Sequence, residues 1–325
     1  MAYDRDAAVK YAEAHWNVPC DDGVLWLSNE ALRIDTLRKQ LHAPAADGWQ
    51  PMFVKGDGSD PEKAVFRRTV GSHVEEKLIN GWAGLADCAH FLSRCLSAGG
   101  AKINERGVTE LVNTLQARTD TKTLCDRVAR DGAQRVIDTG VLKKGDMVGY
   151  FNVSPTGDYG GRIAYAHSTM YVGKLDTAAI GGVTCHTVAR FPPKSWVNDS
   201  WWLHDGYVYT LIHFADDDPK PNPARANALD GWWKLTYAAR TEYYYIFKDG
   251  RARYSKIAPK SAKDAMHAME GTAYWFMDGS GKITFIWKAS GTVEVWTPDT
   301  KDLTTYSSMI NTSTPGVVTK LFSSP

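Results

Sequence analysis

Cys88 is the residue best placed to do chemistry. It opens the run Asp87-Cys88-Ala89-His90-Phe91-Leu92-Ser93-Arg94-Cys95-Leu96-Ser97-Ala98-Gly99-Gly100. Asp87 suits a helix N-cap, Phe91, Leu92, Cys95 and Leu96 share one helical stripe, and Gly99-Gly100 supplies the stop. A thiol in the first turn feels the positive end of the helix dipole, which favours the nucleophilic thiolate. Such a thiol needs a base within hydrogen-bond reach, and the base needs a polar group to orient it. Of nine histidines, His167 heads the predicted strand in Ala164 to Gly173, and His186 sits on the next strand, in Val183 to Val188. Neighbouring antiparallel strands would set the two side by side, with His186 orienting His167. His204, Asn198 or Asp199 are alternatives for that third position. The backbone N–H of Cys88 is the natural oxyanion donor, a role typically worth about 3–4 kcal/mol of barrier.

The remaining reactive types read as structural. Cys95 falls on the apolar stripe of the helix, and Cys185 alternates to the strand face opposite His186, so both are expected in the core. His90 reads as a packing or hydrogen-bonding position rather than a second base. The five cysteines (20, 88, 95, 125 and 185) contain no CxxC pair, which argues against a disulfide framework. A zinc site built from Cys88, His90, His167 and His186 matches no structural zinc spacing. Neither a metal nor a cofactor is therefore expected. Gly279-Ser280-Gly281 is a turn, not a phosphate loop.

The elements that must carry these residues read as helices first and strands afterwards, an α+β arrangement. Helical spacing covers 3–16, with Asp4 or Asp6 as cap, and extends less regularly over 25–41. Residues 43–61 read as loop, 62–80 as a helix or helix pair, and further helices cover 108–115 and 124–137. Strands follow at 146–151, 166–172, 182–189 and 207–214. The stretch 216–230, rich in proline and acidic residues, reads as a linker. Residues 231–325 are strand-like almost throughout and read as a small all-β sandwich or barrel. Its aromatic stripes (Trp232-Trp233, Tyr243-Tyr244-Tyr245, Trp275, Trp287 and Trp296) fit core packing with cross-strand pairs, the favoured reading. The alternative is an exposed platform for sugar rings or a partner.

Composition narrows the classes of function. The chain has 325 residues, 43% of them hydrophobic, and a net charge of +1. That is enough apolar residue for a real core, and too little charge to favour nucleic acid or an anionic membrane surface. No run approaches 18 apolar residues, so no membrane span is expected. No signal-peptide h-region is visible near the N-terminus, which predicts synthesis in the cytoplasm without such a signal.

The order of these blocks resembles that of the NlpC-type papain-like cysteine amidases and peptidases, and more specifically a bacterial amidase domain family. A helix start of the type Tyr-Asp-Arg-x-Ala-Ala-Val-x-Tyr-Ala is matched by Tyr3 to Ala12. A nucleophile motif of the type Asp-Cys-x-Asn-Phe-x-Ser-x-x-Leu-x-x-Gly-Gly is matched by Asp87 to Gly100. A Gly-Asp strand start and a His-Ser base strand are matched by Gly145-Asp146 and His167-Ser168. The resemblance covers roughly residues 3–214. It implies papain-like helices on an antiparallel sheet over 1–215; the 216–230 linker and the all-β domain at 231–325 lie outside it, and that domain reads as a binding or targeting module. The resemblance also implies hydrolysis of amide bonds through a thioester, with Cys88 as nucleophile, His167 as base and His186 as orienting group. Peptide or peptidoglycan would be the substrate. An antibacterial effector exported by a specialised route, with an immunity or inhibitor protein as partner, is the further expectation. The rivals are acyl transfer or proteolysis on a protein substrate, and a non-catalytic binding protein on an amidase scaffold. Two departures stand out: His90 occupies the family's Asn position, and the long 25–80 stretch reads as an added cap.

Overall fold

The computed structural model describes residues 2–27, 30–55, 62–80, 87–154, 163–173, 182–186, 206–216, 218, 223–238, 240–264, 269–299 and 304–324. In chain order the elements are α1 (Arg5–His15), β1 (Val24–Leu27), β2 (Glu30–Arg33), α2 (Ile34–Gln40), β3 (Gln50–Lys55), β4 (Glu62–Val70), β5 (His73–Asn80), α3 (Cys88–Ala98), α4 (Val108–Ala117), β6 (Thr121–Val128), α5 (Arg130–Asp138), β7 (Met147–Asn152), β8 (Tyr165–Gly173), β9 (Gly182–Thr184), β10 (Tyr207–Phe214) and α6 (Pro223–Leu229). Eight strands complete the chain: β11 (Gly231–Tyr237), β12 (Arg240–Ile246), β13 (Arg251–Ser255), β14 (Glu270–Met277), β15 (Ile283–Trp287), β16 (Thr292–Pro298), β17 (Thr305–Ile310) and β18 (Thr314–Ser323). The protein is thus a mixture of helix and sheet ending in a closed eight-stranded barrel. It divides into two compact units, Met1–Arg118 with Lys143–Gly206, and Thr119–Leu142 with Tyr207–Pro325.

The first unit is organised around the start of α1. Asp4 caps that helix, its carboxylate accepting the Ala7 N–H at 2.9 Å. The Tyr3 hydroxyl donates to the Gly145 carbonyl at 2.8 Å. Arg5 donates to Asp146 at 2.6 Å and to the Lys144 carbonyl at 2.9 Å. The Asp4 N–H donates to the Gly99 carbonyl at 2.8 Å. A Cβ on Gly99 would come within 2.8 Å of the Asp4 carbonyl oxygen, and Gly145 has φ +87. Both positions therefore favour glycine. The motif stretches Tyr3-Asp4-Arg5, Gly99 and Gly145-Asp146 thus meet in one knot that fixes the far end of α3. Strands β7, β8 and β9 form an antiparallel ladder, and α3 packs on α1 and β8.

The stretch 25–80 departs from expectation. Residues 25–41 are not one helix but the β1–β2 hairpin followed by α2. Within the expected loop lies β3, and the expected helix over 62–80 is the hairpin β4–β5, so β3–β4–β5 form a three-stranded antiparallel sheet. The physical reason is charge placed symmetrically about Gly71 (φ +61). In this register Arg68 faces Glu75 and Arg67 faces Glu76, with N–O separations of 2.7 Å in both pairs. Cross-strand pairing of opposite charge stabilises the hairpin. Phe66, Ala64, Phe53 and Trp49 close a small core with Leu25, Ile34 and Leu37.

In the second unit, β11 pairs with both β12 and β18, which closes the barrel. Trp233, Trp296, Tyr306, Phe285 and Tyr244 pack inside it, and Trp232, Trp275 and Trp287 are also buried. The aromatic stripes are therefore mainly core. Part of the expected linker, 223–229, is helix α6, with Ala226 and Leu229 in the barrel core. The Trp233 Nε1–H donates to the Leu229 carbonyl at 2.7 Å. Pro223 suits the first helical position, and the alanine-rich stretch behind it was masked by the acidic, proline-rich run before it. Residues 124–137 also break the expected helix, forming β6 and then α5. Strand β10 pairs with β6. Helix α5 crosses the β15–β16 turn so closely that a Cβ on Gly132 would lie 2.8 Å from the Ser290 carbonyl oxygen. The Asp126 N–H donates to the Lys288 carbonyl at 2.9 Å. Residues 119–142 and 207–214 thus group with the barrel, not with the remainder of 1–215 as expected.

Candidate active site around Cys88

Cys88 is the first residue of α3 and is 7% exposed. The helix closes its first bond from the Phe91 N–H to the Asp87 carbonyl at 2.9 Å. The amides of Cys88, Ala89 and His90 precede that bond, as oxyanion donors must. The expected favouring of thiolate is not what the surroundings produce. Burial pushes the Cys88 thiol above its ordinary value and the Asp87 charge adds to this, while the Ser168 backbone amide and hydroxyl pull the other way. The sulfur therefore lies against the peptide that joins His167 to Ser168.

His167 lies on β8 opposite Tyr150 of β7, with ring centroids 5.3 Å apart, and is 7% exposed. Ser168 is fully buried. It is a neighbour of the thiol that sequence reasoning passed over, although it forms half of the His-Ser motif.

His186 follows β9 and is fully buried, but it does not orient His167 as expected. Its Nδ1 lies 2.5 Å from Asp87 Oδ2, and its Nε2 meets the His15 carbonyl at 2.7 Å. Both ring nitrogens are taken, and the ring stacks on Phe91 with centroids 3.9 Å apart. The short β9 strand ends before the two histidines can stand side by side. His186 instead serves Asp87, one residue before Cys88. The alternatives His204, Asn198 and Asp199 lie outside the described residues.

Asp87 is the centre of a buried chain of polar groups. It makes no side-chain cap bond to α3. Its Oδ1 accepts from His90 Nδ1 at 2.9 Å and from the Trp26 N–H at 3.3 Å. His90 Nε2 in turn meets Asp22 at 2.8 Å. Burial alone would raise the Asp87 carboxyl, yet bonds from His186 and His90 hold it below its ordinary value. Burial likewise works against charge on His90, and the Asp87 and Asp22 carboxylates outweigh it and raise its pKa. His90 is thus a hydrogen-bonding position, as expected, and it reaches the Cys20-Asp21-Asp22-Gly23 turn. That acidic turn next to a buried helical histidine was the one available sequence signal for the network. Cys20, Asp87 and His186 each offer a ligand atom, all within 4.8 Å of one another and all buried. Cys95 and Cys185 are fully buried, as expected. Among the described residues no helix is long and apolar enough to cross a membrane. Compared with known proteins, the chain matches no family model, no curated protein and no solved structure.

Proposed function

We propose that the chain is a cysteine hydrolase of amide bonds, with Cys88 as nucleophile and His167 as general base. The observation that carries this reading is the Cys88 sulfur at a helix start, lying against the strand peptide that follows His167. In this mechanism His167 takes the thiol proton as sulfur attacks the amide carbonyl carbon. The oxyanion meets the amides at the start of α3, and the leaving amine receives the proton. Water then hydrolyses the thioester by the same route in reverse, freeing the carboxylate and the thiol. A buried thiol with a raised pKa makes a base necessary, since little thiolate forms unaided near neutral pH. Asp87 and His186 act as positioning residues that fix the start of α3.

The match of Tyr3 to Ala12, Asp87 to Gly100, Gly145-Asp146 and His167-Ser168 to the family pattern supports a papain-like arrangement and peptide or peptidoglycan stems as substrate. Incubating the full chain with peptidoglycan and counting new amines tests the reading. Cys88→Ala and His167→Ala are each expected to lower release by on the order of 10⁴. Release at the unsubstituted rate by folded Cys88→Ala would exclude the mechanism.

A further inference from the structure

Three side chains beside the nucleophile, Cys20, Asp87 and His186, form a cluster that the proposed hydrolysis leaves without a chemical role. Their ligand atoms lie within 4.8 Å of one another, and all three residues are buried. They come from three separate parts of the first unit: the turn after α1, the residue before α3, and the residue two after the end of β9. Thiolate sulfur, imidazole nitrogen and carboxylate oxygen are the ligand types that zinc takes together.

The surroundings are those of a metal's supporting groups. A metal-bound histidine ordinarily gives its other N–H to a carbonyl or carboxylate, and ligating carboxylates are themselves hydrogen-bonded. His186 Nε2 meets the His15 carbonyl at 2.7 Å, while Nδ1 faces Asp87 Oδ2, and a ligand atom of Cys20 lies within 4.8 Å of both residues' ligand atoms. Asp87 Oδ1 accepts from His90 and from the Trp26 amide, which leaves Oδ2 toward the same point. His90 is fixed in turn by Asp22. His186 Nδ1 and Asp87 Oδ2, 2.5 Å apart in a direct hydrogen bond, separate to about 3.3 Å when both ligate a tetrahedral ion. Charge agrees as well. A buried thiolate and carboxylate together balance a divalent cation, with a neutral imidazole as third ligand.

We propose that Cys20, Asp87 and His186 bind a zinc ion that pins the start of α3, with His90 and the His15 carbonyl as its supporting shell. The fourth position of the tetrahedron falls to water. The ion ties the turn after α1 and the end of β9 to the residue before Cys88, so its role is structural and independent of what Cys88 does.

The test uses the full chain, expressed without a histidine tag and desalted against chelator-treated buffer. Elemental analysis is expected to find about one zinc per chain. Cobalt exchanged into the protein should show the thiolate-to-metal absorption in the near ultraviolet. Cys20→Ser should lower zinc content about tenfold or more, whereas Cys88→Ala and Cys125→Ser should retain it. Should Cys20→Ser fail to fold, Cys20→His decides: it offers another zinc ligand and should keep the metal while losing the thiolate band. A folded chain that holds neither zinc nor cobalt, or a cobalt spectrum without the thiolate band, would overturn the proposal. Neither result bears on Cys88 as nucleophile, which the amine-release assay reads separately.

Discussion

Burial holds the proton on Cys88, the Ser168 amide and hydroxyl draw it away, and the Asp87 charge restores it, with a net rise from an ordinary value of 9.0. For a thiol whose pKa is raised, the reactive thiolate accumulates only as pH climbs through that higher value. Iodoacetamide labelling of Cys88 in the native chain should therefore keep accelerating beyond pH 9, and a plateau near neutrality would show the sign to be wrong. Cys88 could be found in the sequence because its cues are local: a cap, a stripe and a glycine stop within 14 residues. The partner of His186 could not, because it depends on where β9 ends and on a carboxylate 99 positions earlier. Asp87 looked like a helix cap, yet the fold spends its carboxylate on two histidines.

Elements held together by single buried interactions give sharper tests. Arg5 and Asp146 form a buried ion pair at 2.6 Å with exposures of 8% and 0%. Arg5→Met leaves the Asp146 charge buried without its cation and should cost about 3–5 kcal/mol, read by urea unfolding. A loss under 1 kcal/mol would place the anchoring of α1 elsewhere. In the barrel, Glu294 is 1% exposed and accepts from Tyr244 at 2.8 Å, from Ser308 at 2.9 Å and from the Trp296 indole. Burial lifts its pKa above the ordinary 4.5, against the pull of these donors. A raised folded pKa means that the native state binds the proton more tightly. The associated stability is present in full below pH 4.5 and is lost as pH rises through the folded value. Relative to Glu294→Gln, the unsubstituted chain should therefore lose stability as pH rises above 4.5, and a difference independent of pH would contradict this. Strands such as β12 and β16 were legible from alternation and turns. The hairpin β4–β5 was not, because Arg67, Arg68, Glu75 and Glu76 show their pairing only once the turn at Gly71 is placed.

The division of the whole chain follows contacts that no stretch of composition marks. The proline-rich run at 216–222 resembles a boundary, but α6 behind it belongs to the barrel core, and Gly132 of α5 meets the β15–β16 turn. A fragment of residues 216–325 loses α5, β6 and β10 and should melt below the barrel of the full chain, while equal melting temperatures would show those elements to be dispensable. The central claim, that Cys88 attacks amide carbonyls with His167 as base, is tested most directly on the acyl-enzyme. Peptidoglycan stem peptides are mixed with the full chain, quenched in acid, and the protein is mapped by mass spectrometry while free amines are counted. The account predicts an acyl group on Cys88 with matching amine release, both lost in Cys88→Ala and in His167→Ala. Amine release by folded Cys88→Ala at the unsubstituted rate, or an acyl group carried by another residue, would contradict it.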